Sequence, residues 1–415
     1  MLFVERSSNL IKIILRHFKH VNTYQHEDAA FRIDLDNLFL SLRDNYSVAV
    51  KMVKSLSNES FIPAKKKILD DNYEKPTAYN ISSYIPDYIK RYIDDNKDQQ
   101  IIYSTHLNGR RIRVVFTTLK DVTQNDLKNM SKWIERIYSL IYFLSNLSER
   151  KCSQSLTIYL YMSDFKKKIP TSSSKILGPG NVNTGLTSRC TTDNEVIIYR
   201  EEEWFKVLIH ELIHSFGLDF HSSHDERKEL NTIFNVKSEY IIEEAYVEAW
   251  ARILNCVICC YHALIDVEKS DDFLLSLNFT LQLERIYSIY QCDKIFRMMN
   301  LQFNDIFKKN KQSSHFKEET NVFCYYVLAA ALMNNYGHFM KWCATNNNKI
   351  DKNMKQNMIQ FAPTTLTHRK FISFINDATN LLARRTLAQE SNIFKHASND
   401  IHESLTMTMI ESPIK

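Results

Sequence analysis

Glycine and proline are scarce in this 415-residue chain, at six and seven residues. So few turn formers disfavour an all-β or loop-rich architecture and leave room for long helices. No sign of charge dominates either. With 53 basic and 48 acidic residues the formal net charge is +5, which removes the electrostatic argument for a nucleic-acid partner. Long apolar runs are missing: the most apolar stretch, Ile253 to Ile265, is too short to span a bilayer and continues a helical pattern carrying Glu248 and Arg252. No transmembrane segment is expected, and Glu5 and Arg6 interrupt the N-terminus where a signal-peptide core would lie. Eight cysteines are scattered without the dense spacing of a disulfide scaffold, so the expected setting is a reducing compartment, the cytoplasm. Cys256, Cys259 and Cys260 contain one CxxC spacing with no second pair, and read as core thiols of a helix.

What is present can bury substantial cores, since 44% of the chain is hydrophobic. Residues 1–100 carry helix-period apolar positions such as Leu35, Leu38, Phe39 and Leu42, with Ala64 to Tyr92 reading as a connecting stretch around Pro76 and Pro86. At residue 101 the pattern changes. Ile101–Thr105 and Arg111–Thr117 are β-rich runs joined through Asn108-Gly109, a strong hairpin signal. Leu127, Met130, Trp133, Ile134, Ile137, Tyr138, Ile141 and Leu144 then recur at spacings of three and four, predicting a helix from about Thr123 to Ser148. Leu156–Met162, Val182–Ser188 and Glu195–Tyr199 read as strands, the first two separated by a loop that holds Gly178 and Gly180. The remainder is helical to about residue 385, and the expected layout is a helical N-terminal region (1–100), a mixed core (101–270), a helical lobe (271–390) and a disordered tail (391–415).

One stretch carries chemistry. Residues 201–219 read EEEWFKVLIHELIHSFGLD, with His210-Glu211-Leu212-Ile213-His214 as an HExxH motif. Residues four apart share a helix face, so His210 and His214 can offer two imidazole nitrogens to one metal ion while Glu211 stands beside the vacant position. Gly217 marks the end of that helix. Zinc in a hydrolase takes three protein ligands and keeps the fourth position for water, so a third ligand is required. Glu243, Glu244 and Glu248 lie on the next helix, and Glu244 and Glu248 share a face. His221, His224 and Asp219 are the alternatives.

HELIH followed some thirty residues later by EAYVEAW resembles the gluzincin metallopeptidases, a group that includes the anthrax lethal factor and clostridial neurotoxin light-chain catalytic domains. The order of hairpin, helix, strands and HExxH helix is similar to the upper lobe of zincins over roughly residues 100–255. The metzincin pattern fits less well: Gly217 is in place, but Phe220 occupies the third histidine's position and His221 follows one residue late. The gluzincin resemblance implies an α+β, zincin-like catalytic domain binding one Zn²⁺, with Glu244 as third ligand and Glu248 orienting His210 from outside. It implies Glu211 as general base, and an oxyanion-stabilising tyrosine for which Tyr240 or Tyr246 is the candidate. It also makes Val182, Asn183, Thr184 and Gly185 part of an edge strand on which an extended peptide or protein substrate is held. The abundance of Ile, Asn and Lys suggests an AT-rich genome, and the chain is similar in character to metallopeptidases of large DNA viruses, which would place it in a host cytoplasm or a virion. The second reading is a zincin scaffold without catalysis, serving as a binding or structural protein. Intact Glu211 speaks against it, because a structural site needs the histidines and not the base.

Overall fold

The structure, a computed structural model, describes residues 3–17, 28–69, 73–171, 176–307, 316–347, 349–351, 354–384 and 390–411. Its fold class is α+β. The chain divides into two compact units, one containing 41–167 and 183–218, the other 1–40, 168–182 and 219–412. Helix α1 (Glu5–Arg16) belongs to the second, and the boundary falls inside α2 (Ala29–Lys54). The division expected at residues 100 and 270 is therefore corrected. Residues 64–96 join the sheet unit because they pair and pack with it, and 219–270 join the helical unit because their helices pack on later ones.

The sheet unit is organised by six strands in the order β1-β2-β3-β4-β6-β5. These are β1 (Ala64–Lys67), β2 (Gln99–Leu107), β3 (Arg110–Thr118), β4 (Ser155–Ser163), β5 (Gly185–Thr187) and β6 (Asp193–Arg200). Asn108 and Gly109 both adopt positive φ, 49° and 72°, as a two-residue hairpin turn demands, and β2 and β3 pair in register from Leu107–Arg110 outward. β3, β4 and β6 run parallel, whereas β1 and β5 are antiparallel to their neighbours. The stretch 64–92, expected as a connection, contains β1 and the start of α3 (Asp87–Asn96). Ala64–Lys67 has no apolar alternation and is a strand through its pairing with β2.

Helix α3 closes one face of the sheet, where Ile85, Ile89 and Ile93 pack with Val115, Tyr159, Tyr161, Ile197 and Tyr199. These strand residues alternate with others, Phe116 and Leu160 among them, as period-two side chains must. Phe116 meets Trp133 of α4 (Gln124–Ser145) at a ring separation of 6.0 Å. Thr123 starts α4 through a capping box with Asp126, and Met130, Ile134, Ile137 and Ile141 form its buried stripe. The predicted hairpin, long helix and following strand thus fall where the sequence puts them.

The fourth predicted strand, Val182–Ser188, is shorter than expected. Pro179–Val182 forms a short helical turn, α5, so Val182, Asn183 and Thr184 precede the strand and only Gly185–Thr187 pairs with β6. Proline fits the first turn of a helix without loss of a hydrogen bond, and this draws the residues after it out of extended geometry. β5 nonetheless ends the sheet.

The helical unit contains α7 (His224–Ile233), α8 (Ile242–Ala263), α9 (Ser270–Met298), α10 (Ala329–Asn334), α11 (Tyr336–Asn346), α12 (Thr365–Ala383) and a small hairpin of β7 (Lys349–Asp351) and β8 (Met354–Asn357). α8, α9 and α10 pack on one another, and α12 packs on α7 and α10. The expectation of a disordered tail is corrected for residues 391–411. Ser404–Ile410 is buried, because α9 supplies partners for its polar groups. Glu284 accepts from the Thr408 hydroxyl and from the backbone N–H of Met409 at 3.0 Å and Ile410 at 2.9 Å. Lys294 donates to the carbonyls of Ile401 and Ser404 at 2.8 and 2.6 Å. Residues 412–415 of that tail lie outside the described residues. Among the described residues no helix is long and apolar enough to cross a membrane.

Cys152 and Cys190 form a disulfide, a pairing the sequence reading does not anticipate, while Cys256, Cys259, Cys260, Cys292, Cys324 and Cys343 are buried thiols. A separation of 38 residues gives no local signal of such a pairing.

Gly185 shows how tightly β5 is seated. A Cβ there would lie 2.8 Å from the Ile197 carbonyl oxygen and 3.0 Å from Val207 on the following helix. Gly185→Ala is therefore expected to lower stability by about 1–3 kcal/mol through overpacking, and thermal unfolding of the variant measures it.

Candidate metal centre

The HExxH segment forms α6 (Trp204–Ser215), on which Phe205, Leu208, Ile209, Leu212 and Ile213 are buried. Its apolar residues surround the helix, so α6 is an interior helix of the sheet unit, packed on β5, β6 and α4. At its start, Trp204 meets Trp133 at 5.5 Å, and the guanidinium of Arg136 lies over Phe205.

The start of α6 is unusual. Glu203, at its N-cap, has φ 60° and ψ 15° and makes no side-chain cap hydrogen bond. Its carboxylate instead accepts from Lys167 Nζ at 2.8 Å, with both side chains shielded from solvent. Glu202 accepts from the Lys167 backbone N–H at 2.7 Å. Two of the three consecutive glutamates, Glu202 and Glu203, are thus tied to Lys167, a residue that no local pattern singles out.

The end of α6 is held as firmly. Gly217 adopts φ 62°; its N–H donates to the His214 carbonyl at 2.9 Å and that of Leu218 donates to Ile213 at 3.0 Å. This is the glycine-terminated C-cap that the sequence predicts. Further donors come from elsewhere in the unit: the Cys190 N–H reaches the His214 carbonyl at 3.3 Å, Ser153 Oγ reaches the Ser215 carbonyl at 2.8 Å and Ser148 Oγ the Phe216 carbonyl at 2.7 Å.

Between these ends the helix brings His210 and His214 together, with their Nε2 atoms 3.2 Å apart and the rings inclined at 68°. Two zinc–nitrogen bonds of about 2.0–2.1 Å at a tetrahedral angle put the nitrogens about 3.3 Å apart. The histidine pair fits that spacing. Glu211, between them in sequence, is buried, and its charge is felt by Tyr199, whose hydroxyl is pushed above the usual tyrosine range chiefly by burial.

The acids of α8 belong to the helical unit and differ in their surroundings. Glu243 is buried, and burial raises its carboxyl above the usual range against the opposing effect of hydrogen bonds from Ser222. It accepts from the Ser222 N–H at 3.2 Å and from the Ser222 hydroxyl. His221, an alternative ligand, is largely exposed with Nδ1 3.7 Å from Glu243. Glu248, 1% exposed, accepts from Arg252 Nε at 2.8 Å, and Arg252 donates onward to Ser288 Oγ at 2.6 Å and the Tyr325 carbonyl at 3.2 Å. Glu244, in the first turn, is the partly exposed one of the three.

Tyr240, expected as an oxyanion-stabilising group, is corrected. It is 1% exposed, its hydroxyl donates to the Val236 carbonyl at 2.8 Å, and burial pushes its pKa up to about 12. A donor committed to a buried backbone carbonyl serves the 234–240 turn. Tyr246 is equally enclosed, donating to the Ile359 carbonyl at 2.7 Å. A cavity of about 320 Å³ in the sheet unit, at the ends of β3 and β4, is lined by Trp133, Phe116, Asp121, Asp164 and Glu201 among others, and none of His210, Glu211 or His214 lines it.

No protein-family profile, curated protein or solved structure matches this chain.

Removing one partner of a buried ion pair leaves an uncompensated charge. Lys167→Met is therefore expected to cost about 3–5 kcal/mol, and adding Glu203→Gln to recover part of the loss. A double-mutant cycle by urea unfolding checks the non-additivity.

Proposed function

We propose that this protein is a zinc-dependent peptidase of the gluzincin type. The observation that carries the reading is the 3.2 Å approach of two imidazole Nε2 atoms on a buried helix, with Glu211 next to the first of them. A hydrogen bond alone would bring two imidazoles equally near, but it would give no reason for a carboxylate at the adjacent buried position.

His210 and His214 hold the ion in this proposal, and Glu244 supplies the third ligand. Two features favour Glu244 over its neighbours: its spacing from HELIH, and the commitment of Glu243 to Ser222 and of Glu248 to Arg252. Two histidines and one carboxylate make a donor set suited to zinc. When bound, zinc supplies an acidified water and polarises the scissile carbonyl. Glu211 takes the proton from the attacking water and passes it to the leaving amine nitrogen. The buried surroundings of Glu211 keep that proton exchange away from bulk water.

The substrate class is an extended peptide or protein segment. β5 ends the sheet with its second edge unpaired by any strand among the described residues, and an added strand would take its backbone hydrogen bonds there. Asn183 and Thr184 contribute differently from strand residues: their carbonyls accept from Arg200 Nε at 2.9 Å and from the Tyr199 N–H at 3.0 Å, fixing the entry into β5.

Glu211→Gln is expected to retain stoichiometric zinc while cleavage of a peptide library falls by about 10²–10⁴-fold. Zinc analysis alongside the assay decides; cleavage at the parent rate would overturn the mechanism. Glu244→Ala is expected to lose tight zinc binding, and full retention of zinc would remove Glu244 as the ligand. Glu248→Ala is a poorer probe, since it strands the buried Arg252 and is expected to lower stability by about 3–5 kcal/mol whatever its effect on metal.

A further inference from the structure

The carbonyls at the end of α6 are satisfied by two separate loops, and one covalent bond joins those loops. A helix leaves its last four carbonyls without helical partners. Here the loop before β4 supplies Ser148 Oγ to Phe216 and Ser153 Oγ to Ser215, and the loop between β5 and β6 supplies the Cys190 N–H to His214 itself. The two loops also touch through the Ser153 N–H, which donates to the Thr191 carbonyl at 2.7 Å. Asn194 bridges the same spot, donating to Ser215 Oγ at 3.0 Å and to the Ser188 carbonyl at 2.8 Å. Cys152–Cys190 is the covalent link between the loops. Its atoms lie directly on the helix cap: a Cβ on Gly217 would be 2.9 Å from Cys190 Cβ and 3.2 Å from Cys152 Sγ. Cys152 is enclosed, whereas Cys190, at φ 48°, keeps part of its surface in solvent.

We propose that the Cys152–Cys190 disulfide is a positioning element for His214, and that its oxidation state sets the metal affinity of the histidine pair. The inference rests on the peptidase reading for the presence of a metal. The argument is one of geometry and chain freedom. His214 is the last ligand on α6, one residue from the helix end, and its own carbonyl accepts from Cys190 and Gly217. While the bond is closed, Cys190 cannot leave the cap without carrying the β4 loop with it. When it opens, the Cys190 loop keeps only hydrogen bonds, and the last turn of α6 gains freedom that the 3.2 Å nitrogen spacing does not tolerate. The chemistry needs a thiol reductant, as a cytoplasmic setting supplies. A dithiol attacks one sulfur, the S–S bond breaks, each protein sulfur ends as a thiol, and the dithiol gives up two protons and two electrons as it closes to its own disulfide.

The test compares the oxidised full-length protein, the same protein reduced with a dithiol that is removed by gel filtration under argon, and the Cys152→Ser/Cys190→Ser variant. Zn²⁺ affinity is measured by competition with a chromophoric chelator, and the Co²⁺-substituted protein reports ligand geometry through its d–d absorption. Zn²⁺ affinity is expected to fall by about tenfold or more in the reduced protein and the variant, in the range seen when outer partners of a ligating histidine are lost. The Co²⁺ spectrum is expected to change, and reoxidation of the reduced protein to restore both. Should the variant fail to fold, the reduced and reoxidised protein decides alone. Equal affinity and an identical Co²⁺ spectrum in both oxidation states overturn this proposal and leave the peptidase reading standing. Absence of metal binding from every form overturns both.

Discussion

An interior helix that carries two imidazoles and a carboxylate must have every polar group answered by protein rather than by water. That constraint on α6 explains much of the sheet unit around it. The helix is apolar on all sides, so strands below, α4 beside and aromatic rings at its start are needed to cover it. At its start the left-handed Glu203 is buried against Lys167, and its last turn is answered by a glycine cap and two serine hydroxyls. The histidine nitrogens meet at 3.2 Å on a short helix whose last turn is held by these partners.

Much of this was legible in the chain where the signal is local. Asn108-Gly109 names its own turn because both residues tolerate positive φ. The α4 stripe and Thr123 cap are written in consecutive positions, and Gly217 ends α6 as its sequence place suggests. The histidine pair also follows from helical spacing alone.

What was not legible depends on partners distant in sequence. β1 has the composition of a loop and becomes a strand by lying against β2. The Cys152–Cys190 pairing and the Lys167–Glu203 pair each join residues more than thirty apart. Tyr240 illustrates the opposite error: a tyrosine near the acids of α8 looks available until its hydroxyl is found on the Val236 carbonyl. The commitment of Glu248 to Arg252 could have been read, since the two stand four apart on one helix.

The buried segment Ser404–Ile410 bears on the order in which the two units are completed during synthesis. Asn255, Glu284, Gln291 and Lys294 all bond to residues between 401 and 410, and Arg6 pairs with Glu411 at 2.8 Å. The buried carboxylate and ammonium of α9 therefore wait for partners made more than a hundred residues later, while the sheet unit has all its strands by residue 200. A nascent chain would present a finished sheet and an unfinished helical unit, with charged groups in the latter's core still open to water. Such an intermediate invites chaperone binding.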